Sequence, residues 1–183
     1  MLATGIIEKC RSNDRKAQLQ LYHAYCDGMY VVAQRFVKDS MEAEDIVQES
    51  FIKAFMKLHQ FKGEVTFGAW LKRIVINKCI DTLKARKQQL IELQDVHLKV
   101  VDAAVEDEWF VEDAITADEV KAAINDLPDK YKYVLMLYLI EGYDHAEIAQ
   151  ILKITQVASR TQLSRGREKL KQLLIRSKDG TRP

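Results

Sequence analysis

Proline and glycine are scarce in this chain of 183 residues, at two and seven, and alternating β-branched runs are few. So few chain breakers and so little strand patterning make an all-α fold the expectation. Cysteine is sparse and scattered: Cys10, Cys26 and Cys79 show no C-x-x-C spacing, and His23, His59, His97 and His145 form no ligand pattern with them. Buried reduced thiols are therefore expected, and neither a metal nor any other cofactor. No apolar run is long enough for a membrane span, and the start Met-Leu-Ala-Thr-Gly lacks a basic segment followed by an apolar core. Membrane insertion and a signal peptide are thus not expected, and the cytoplasm is the expected location. A phosphate-cradling glycine loop and a His/Asp/Ser arrangement are missing too. No catalytic residue is expected, and the chain does not read as an enzyme.

Charge is nearly balanced, at +1 overall, but it is segregated. Residues 1–86 carry 14 basic and 10 acidic groups, residues 87–116 carry 2 and 8, and residues 117–183 carry 12 and 9. Two mildly basic blocks around an acidic one suit a polyanionic partner. From Gln88 to about Thr116 helical periodicity fades, as in Val105-Glu-Asp-Glu-Trp-Phe-Val-Glu-Asp113. The spacing predicts two helical domains, residues 1–87 and 117–183, joined by an acidic linker at 88–116.

In the first domain, helices are expected at residues 2–10 and about 14–38, the second with Leu19, Leu21, Tyr22, Tyr25, Met29, Val32, Ala33 and Phe36 facing inward. Gly28 in that helix would mark a close contact. Ser40 is the expected cap of a helix from Met41 to Leu58, whose inward set is Ile46, Val47, Phe51, Ile52, Phe55 and Leu58. Its outer face carries Glu42, Asp45, Gln48, Glu49 and Lys53. That face either docks on a basic partner helix or is a solvated surface with internal pairs such as Glu49 to Lys53. After His59-Gln-Phe-Lys-Gly63, Thr66 starts a basic helix from Phe67 to about Arg86, with Lys72, Arg73, Asn77, Lys78, Lys84 and Arg86. An aromatic loop leading into a basic helix is a composition that grips single-stranded DNA, but the residues alone favour Phe61, Phe67 and Trp70 as core over stacking platforms.

The second domain opens with a short amphipathic helix at Ala117–Asn125, followed by Asp126-Leu-Pro128 and a strongly apolar segment, Tyr131–Glu141, closed by Gly142. Tyr143 to Arg167 then reads as two helices around a short turn. Asp144 and Glu147 have capping-box spacing, and Ile148, Ala149 and Leu152 share a face. Thr155 caps the second helix, which turns Ser159 and Leu163 inward and Gln156, Arg160, Thr161, Ser164 and Arg165 outward. Those outward side chains can all hydrogen-bond to phosphates or base edges. From Lys153 to Lys178 there are eight basic residues against one acid, Glu168, a segment suited to counterion release on DNA. The pattern is that of a helix-turn-helix.

Two motifs in this order resemble those of bacterial RNA polymerase sigma factors of the extracytoplasmic-function group, of sigma-70 type. The first is Ala43-Glu-Asp-Ile-Val-Gln-Glu-Ser-Phe-Ile-Lys-Ala-Phe55, with Phe61-Lys-Gly63 and the Phe67 to Asn77 segment, which is similar to the family's region 2. The second comprises Leu127-Pro128, Glu141-Gly-Tyr143, Glu147-Ile-Ala149 and Leu163 to Arg167, and is similar to region 4. The resemblance implies that Asp45, Gln48 and Glu49 contact core RNA polymerase. It also implies that Phe61, Lys62, Lys72, Arg73 and Asn77 melt and hold the non-template strand of the −10 element. Gln156, Arg160, Thr161, Ser164 and Arg165 would face the −35 major groove. Core RNA polymerase, promoter DNA and an anti-sigma factor are the implied partners, and the free protein is expected to be a monomer. The sequence departs from the family where Lys153 stands in place of the usual turn glycine and Ser159 in place of a common β-branched core residue. The alternative reading is a helix-turn-helix regulator that binds paired sites as a dimer without replacing sigma.

Overall fold

The computed structural model describes residues 4–92 and 115–178. Among them all regular structure is helical, and the chain falls into two compact units.

The first unit contains α1 (Thr4–Arg11), α2 (Arg15–Phe36), α3 (Ser40–Met56), a single 3₁₀ turn at Leu58–Gln60, and α4 (Phe67–Glu92). Asp14 caps α2 by accepting from the amides of Lys16 and Ala17. Helices α2, α3 and α4 pack on one another around Leu21, Ala33, Phe36, Ala43, Phe51, Leu71, Val75, Ile76 and Cys79, all 2% exposed or less. Gly68 lets α4 pack closely on α2: a Cβ there would lie 2.8 Å from Tyr25 Cε1.

Several expectations are corrected here. The cap of α3 is Asp39, not Ser40; its carboxylate accepts from the Glu42 amide at 2.9 Å, and a charged oxygen gains from the helix dipole where a hydroxyl does not. Ile52 is 61% exposed and Leu19 is 56% exposed. Successive residues on a helix are turned about 100° apart, so Ile52 falls on the outer row of α3 although its neighbour Phe51 is buried. Phe51 packs with its ring 4.8 Å from that of Tyr22, and on α2 Leu21, two residues after Leu19, is the buried one. Gly28 meets no close neighbour. Cys26 is half-buried rather than buried. Helix α4 continues past Arg86 to Glu92, so residues 88–92 of the expected linker are helical; residues 93–114 lie outside the described residues.

The second unit contains α5 (Ala117–Asn125), α6 (Asp129–Leu135), a π turn at Met136–Ile140, α7 (His145–Leu152) and α8 (Gln156–Lys178). Thr116 with Glu119, and Asp144 with Glu147, form complete capping boxes. Helix α8 is the spine, contacting α5, α6 and α7 through Ser159, Leu163, Leu170 and Leu174. Gly166 lets α6 in closely, since a Cβ there would lie 3.0 Å from Leu135 Cδ1.

Candidate polymerase and nucleic-acid interfaces

Asp45, Gln48 and Glu49 are exposed on α3, as the spacing requires with Ala43, Ile46, Val47 and Ser50 facing inward. Met41, Asp45, Gln48, Ile52 and Met56 fall on one outer row, and the exposures of Met41 (76%), Ile52 (61%) and Met56 (75%) place apolar surface on both sides of the polar pair. Glu49 lies at the edge of this row, where it pairs with Lys78 of α4. Two turns earlier on α3, Glu42 binds Arg86 of α4 at 2.6 Å.

The loop before α4 is held from inside. Phe61 is only 9% exposed, with its ring centre 5.8 Å from Phe67 and 5.4 Å from Trp70. In this conformation its ring belongs to the aromatic cluster. Arg11 fixes the loop backbone from α1, donating to the Phe61 carbonyl at 2.5 Å and to the Leu58 carbonyl at 3.4 Å. Sequence reading missed this role, because no local signal links residues fifty apart in the chain. Lys62 next to the cluster is exposed, while Lys72, Arg73 and Asn77 are half-exposed on α4. Arg73 and Asn77 share a row with half-buried Trp70, which the spacing i, i+3, i+7 could have disclosed. Thr66 caps the start of this helix by accepting from the Ala69 amide at 3.2 Å.

In the second unit the turn between α7 and α8 has the expected chemistry. Lys153 adopts a left-handed conformation, φ 59 and ψ 46, and its amide donates to the Ala149 carbonyl. Thr155 accepts from the Ala158 amide at 3.0 Å and so starts α8. Ser159 and Leu163 are buried, whereas Gln156 and Arg160 are exposed and Thr161, Ser164 and Arg165 half-exposed. The five outward residues thus lie on the first three turns of one helix. His145 adds a feature with no sequence-level signal: its Nδ1 lies 2.9 Å from Ser159 Oγ, and its ring stacks on Tyr138 with centres 5.1 Å apart. Burial holds this imidazole below its ordinary value, with Arg160 and Arg167 acting in the same direction and Asp144 opposing them.

Among the described residues no group of three or more His, Cys, Asp or Glu could hold a metal ion. Burial pushes the Cys79 thiol up to about 12, which leaves it a protonated core residue. No described helix is long and apolar enough to cross a membrane.

Comparison with known proteins covers both units. Residues 21–89 match the family model for sigma-70 region 2, and residues 117–170 match that for sigma-70 region 4. The chain is 32% identical over 182 residues to the ECF RNA polymerase sigma factor SigW of Bacillus subtilis, covering 95% of this chain and 97% of that protein. It is 30% identical over 177 residues to the RNA polymerase sigma-H factor of Pseudomonas aeruginosa, covering 92% of each. Among solved structures it is similar in fold to the sigma factor RpoE of Bartonella quintana, solved with the anti-sigma factor NepR, with a TM-score of 0.57, 22% identity, and coverage of 85% of this chain and 95% of that one. It is also similar to CnrH, solved with the cytosolic domain of CnrY, with a TM-score of 0.56, 24% identity, and coverage of 93% and 95%.

Proposed function

The chain belongs to the extracytoplasmic-function RNA polymerase sigma factors of sigma-70 type, and from that premise we propose how its two helical units divide the work of promoter-specific initiation. The first unit docks on core polymerase through Asp45, Gln48 and Glu49, with Ile52 and Met56 adding apolar contact beside them. The same unit opens the −10 element. Lys62, Lys72 and Arg73 follow the phosphates, and Asn77 hydrogen-bonds an unstacked base; Phe61 supports the loop from within its aromatic cluster. The second unit reads the −35 element as duplex, with Arg160, Thr161, Ser164 and Arg165 in the major groove and Gln156 at the helix start.

The observation that carries this reading is the outward grouping of Gln156, Arg160, Thr161, Ser164 and Arg165 on a helix that begins at a capped turn. Sigma-70 matches on both units favour it over a regulator that uses the helix-turn-helix alone. The segment between the units serves as an acidic linker. A separate anti-sigma protein is the proposed inhibitor, and the free protein is proposed to be a monomer that acts in the cytoplasm and performs no chemistry itself. The test of the division is a core-polymerase titration of the full chain. Replacing Asp45, Gln48 and Glu49 together by alanine should weaken binding by about tenfold or more without altering duplex −35 binding. Unchanged core affinity would remove these residues from the interface.

A further inference from the structure

The helix-turn-helix contains a polar contact at a place where apolar packing would suffice to join its helices. Ser159, on the inward row of α8, is 0% exposed. Its Oγ lies 2.9 Å from Nδ1 of His145, the first residue of α7. The imidazole is itself held: it lies nearly parallel to Tyr138 of the π turn, at 28°, while the Arg167 guanidinium sits 5.5 Å from the centre of that same tyrosine ring. Three segments (the π turn, the start of α7 and the outward helix α8) therefore meet at one side chain. Apolar contacts are non-directional and tolerate rotation of one helix against another. A hydrogen bond weakens steeply when its angle departs from the line of donor and acceptor, so this pair selects one rotation of α8. Arg160 follows Ser159 directly in the chain and is exposed, so a rotation of α8 that displaces Ser159 turns Arg160 by the same angle.

We propose that His145 is a positioning residue for −35 recognition: by holding Ser159 it sets the rotation of α8 and thereby aims Arg160 at the base edges. The inference rests on the assignment of α8 to the −35 element. Its effect falls on discrimination more than on folding, because Ile148, Leu163, Leu170 and Leu174 still fill the core when the hydroxyl is removed.

The experiment uses the full chain with core polymerase in runoff transcription on two promoters that differ only in their −35 bases. The readout is the ratio of transcripts. Ser159→Ala and His145→Ala should each lower that ratio by about threefold to tenfold, the effect of one hydrogen bond that becomes effective only in the aligned complex. The double variant should lose no more than either single one, since one contact is removed in all three. His145→Asn, which keeps a polar atom at the place of Nδ1, should recover most of the ratio. Output falling equally from both promoters, additive losses in the double variant, or no recovery with Asn would overturn the positioning role. A wild-type ratio near one would overturn the assignment of α8 itself and this inference with it. A wild-type ratio that Ser159→Ala preserves would overturn the inference alone.

Discussion

Glu49 on α3 pairs with Lys78 on α4, across the interface between the two helices. The pair ties a residue of the proposed polymerase contact to the helix proposed to hold the −10 strand. Its partners remain wet, with side-chain exposures of 59% for Glu49 and 34% for Lys78. An ion pair of that kind contributes roughly 0–1 kcal/mol. Glu49→Gln should therefore shift the urea unfolding free energy by less than about 1 kcal/mol while clearly weakening core binding. Equal losses in both measurements would make Glu49 a structural residue.

Arg160→Ala should reduce −35 recognition by about 1–3 kcal/mol if the guanidinium makes a bidentate contact with a guanine. Competition binding of the polymerase holoenzyme to promoters with single −35 substitutions measures this. A variant with unaltered promoter preference would exclude Arg160 from base readout.

Asn77→Ala should slow open-complex formation, followed by permanganate reactivity of unpaired −10 thymines, and leave core binding as it was. Asn77 is half-exposed on the row of Trp70 and Arg73, so loss of its amide leaves the packing of α4 in place. A parallel loss of core affinity would assign it a structural role.

Lys153→Gly should stabilise the second unit. A non-glycine residue in the left-handed region costs about 1–2 kcal/mol, and part of that is returned by the greater freedom of glycine in the unfolded chain. A net gain of about 0.5–1 kcal/mol in chemical denaturation is expected. A loss of stability would mean that the lysine side chain supplies more than its backbone costs.

The His145 imidazole is held below its ordinary value of 6.5, first by burial, then by Arg160 and Arg167 of α8, against Asp144 at the cap of α7. The unfolded chain thus takes up the proton more readily than the folded one. Its contribution to stability is complete above about pH 6.5 and is lost as pH falls through the folded value. Denaturation curves taken from about pH 8 to about pH 5 should show a decline in wild type that is smaller in His145→Asn. Glu147, the other charged group at the start of α7, is present in both proteins and cancels in the comparison. Identical pH dependence would rule out titration of His145 as the cause.

What could be read without coordinates was local. Asp144 and Glu147, Thr155 and Gly142 announce themselves through capping and turn chemistry, which depends on neighbours within a few residues. The same locality explains the misses. Asp39 and Ser40 are both good caps, and the sequence offers them side by side; the carboxylate of Asp39 takes the Glu42 amide. Phe51 and Ile52 point about 100° apart, and only the seating of α3 on its neighbours puts Phe51 inside, against the Tyr22 ring. Pairings such as Arg11 to the Phe61 carbonyl, Glu42 to Arg86 and His145 to Ser159 span between 14 and 50 residues. Their existence depends on how helices cross, which no periodicity encodes. The π turn at Met136–Ile140 was likewise hidden, since its apolar run reads as ordinary helix.

The most direct measurement is runoff transcription with purified core polymerase, with and without this protein, on pooled promoter fragments from its host. Protein-dependent transcripts sharing upstream sequences at two spaced positions are the predicted result. Failure to start any transcript, together with dimeric binding to duplex DNA without polymerase, would contradict the account and favour the regulator.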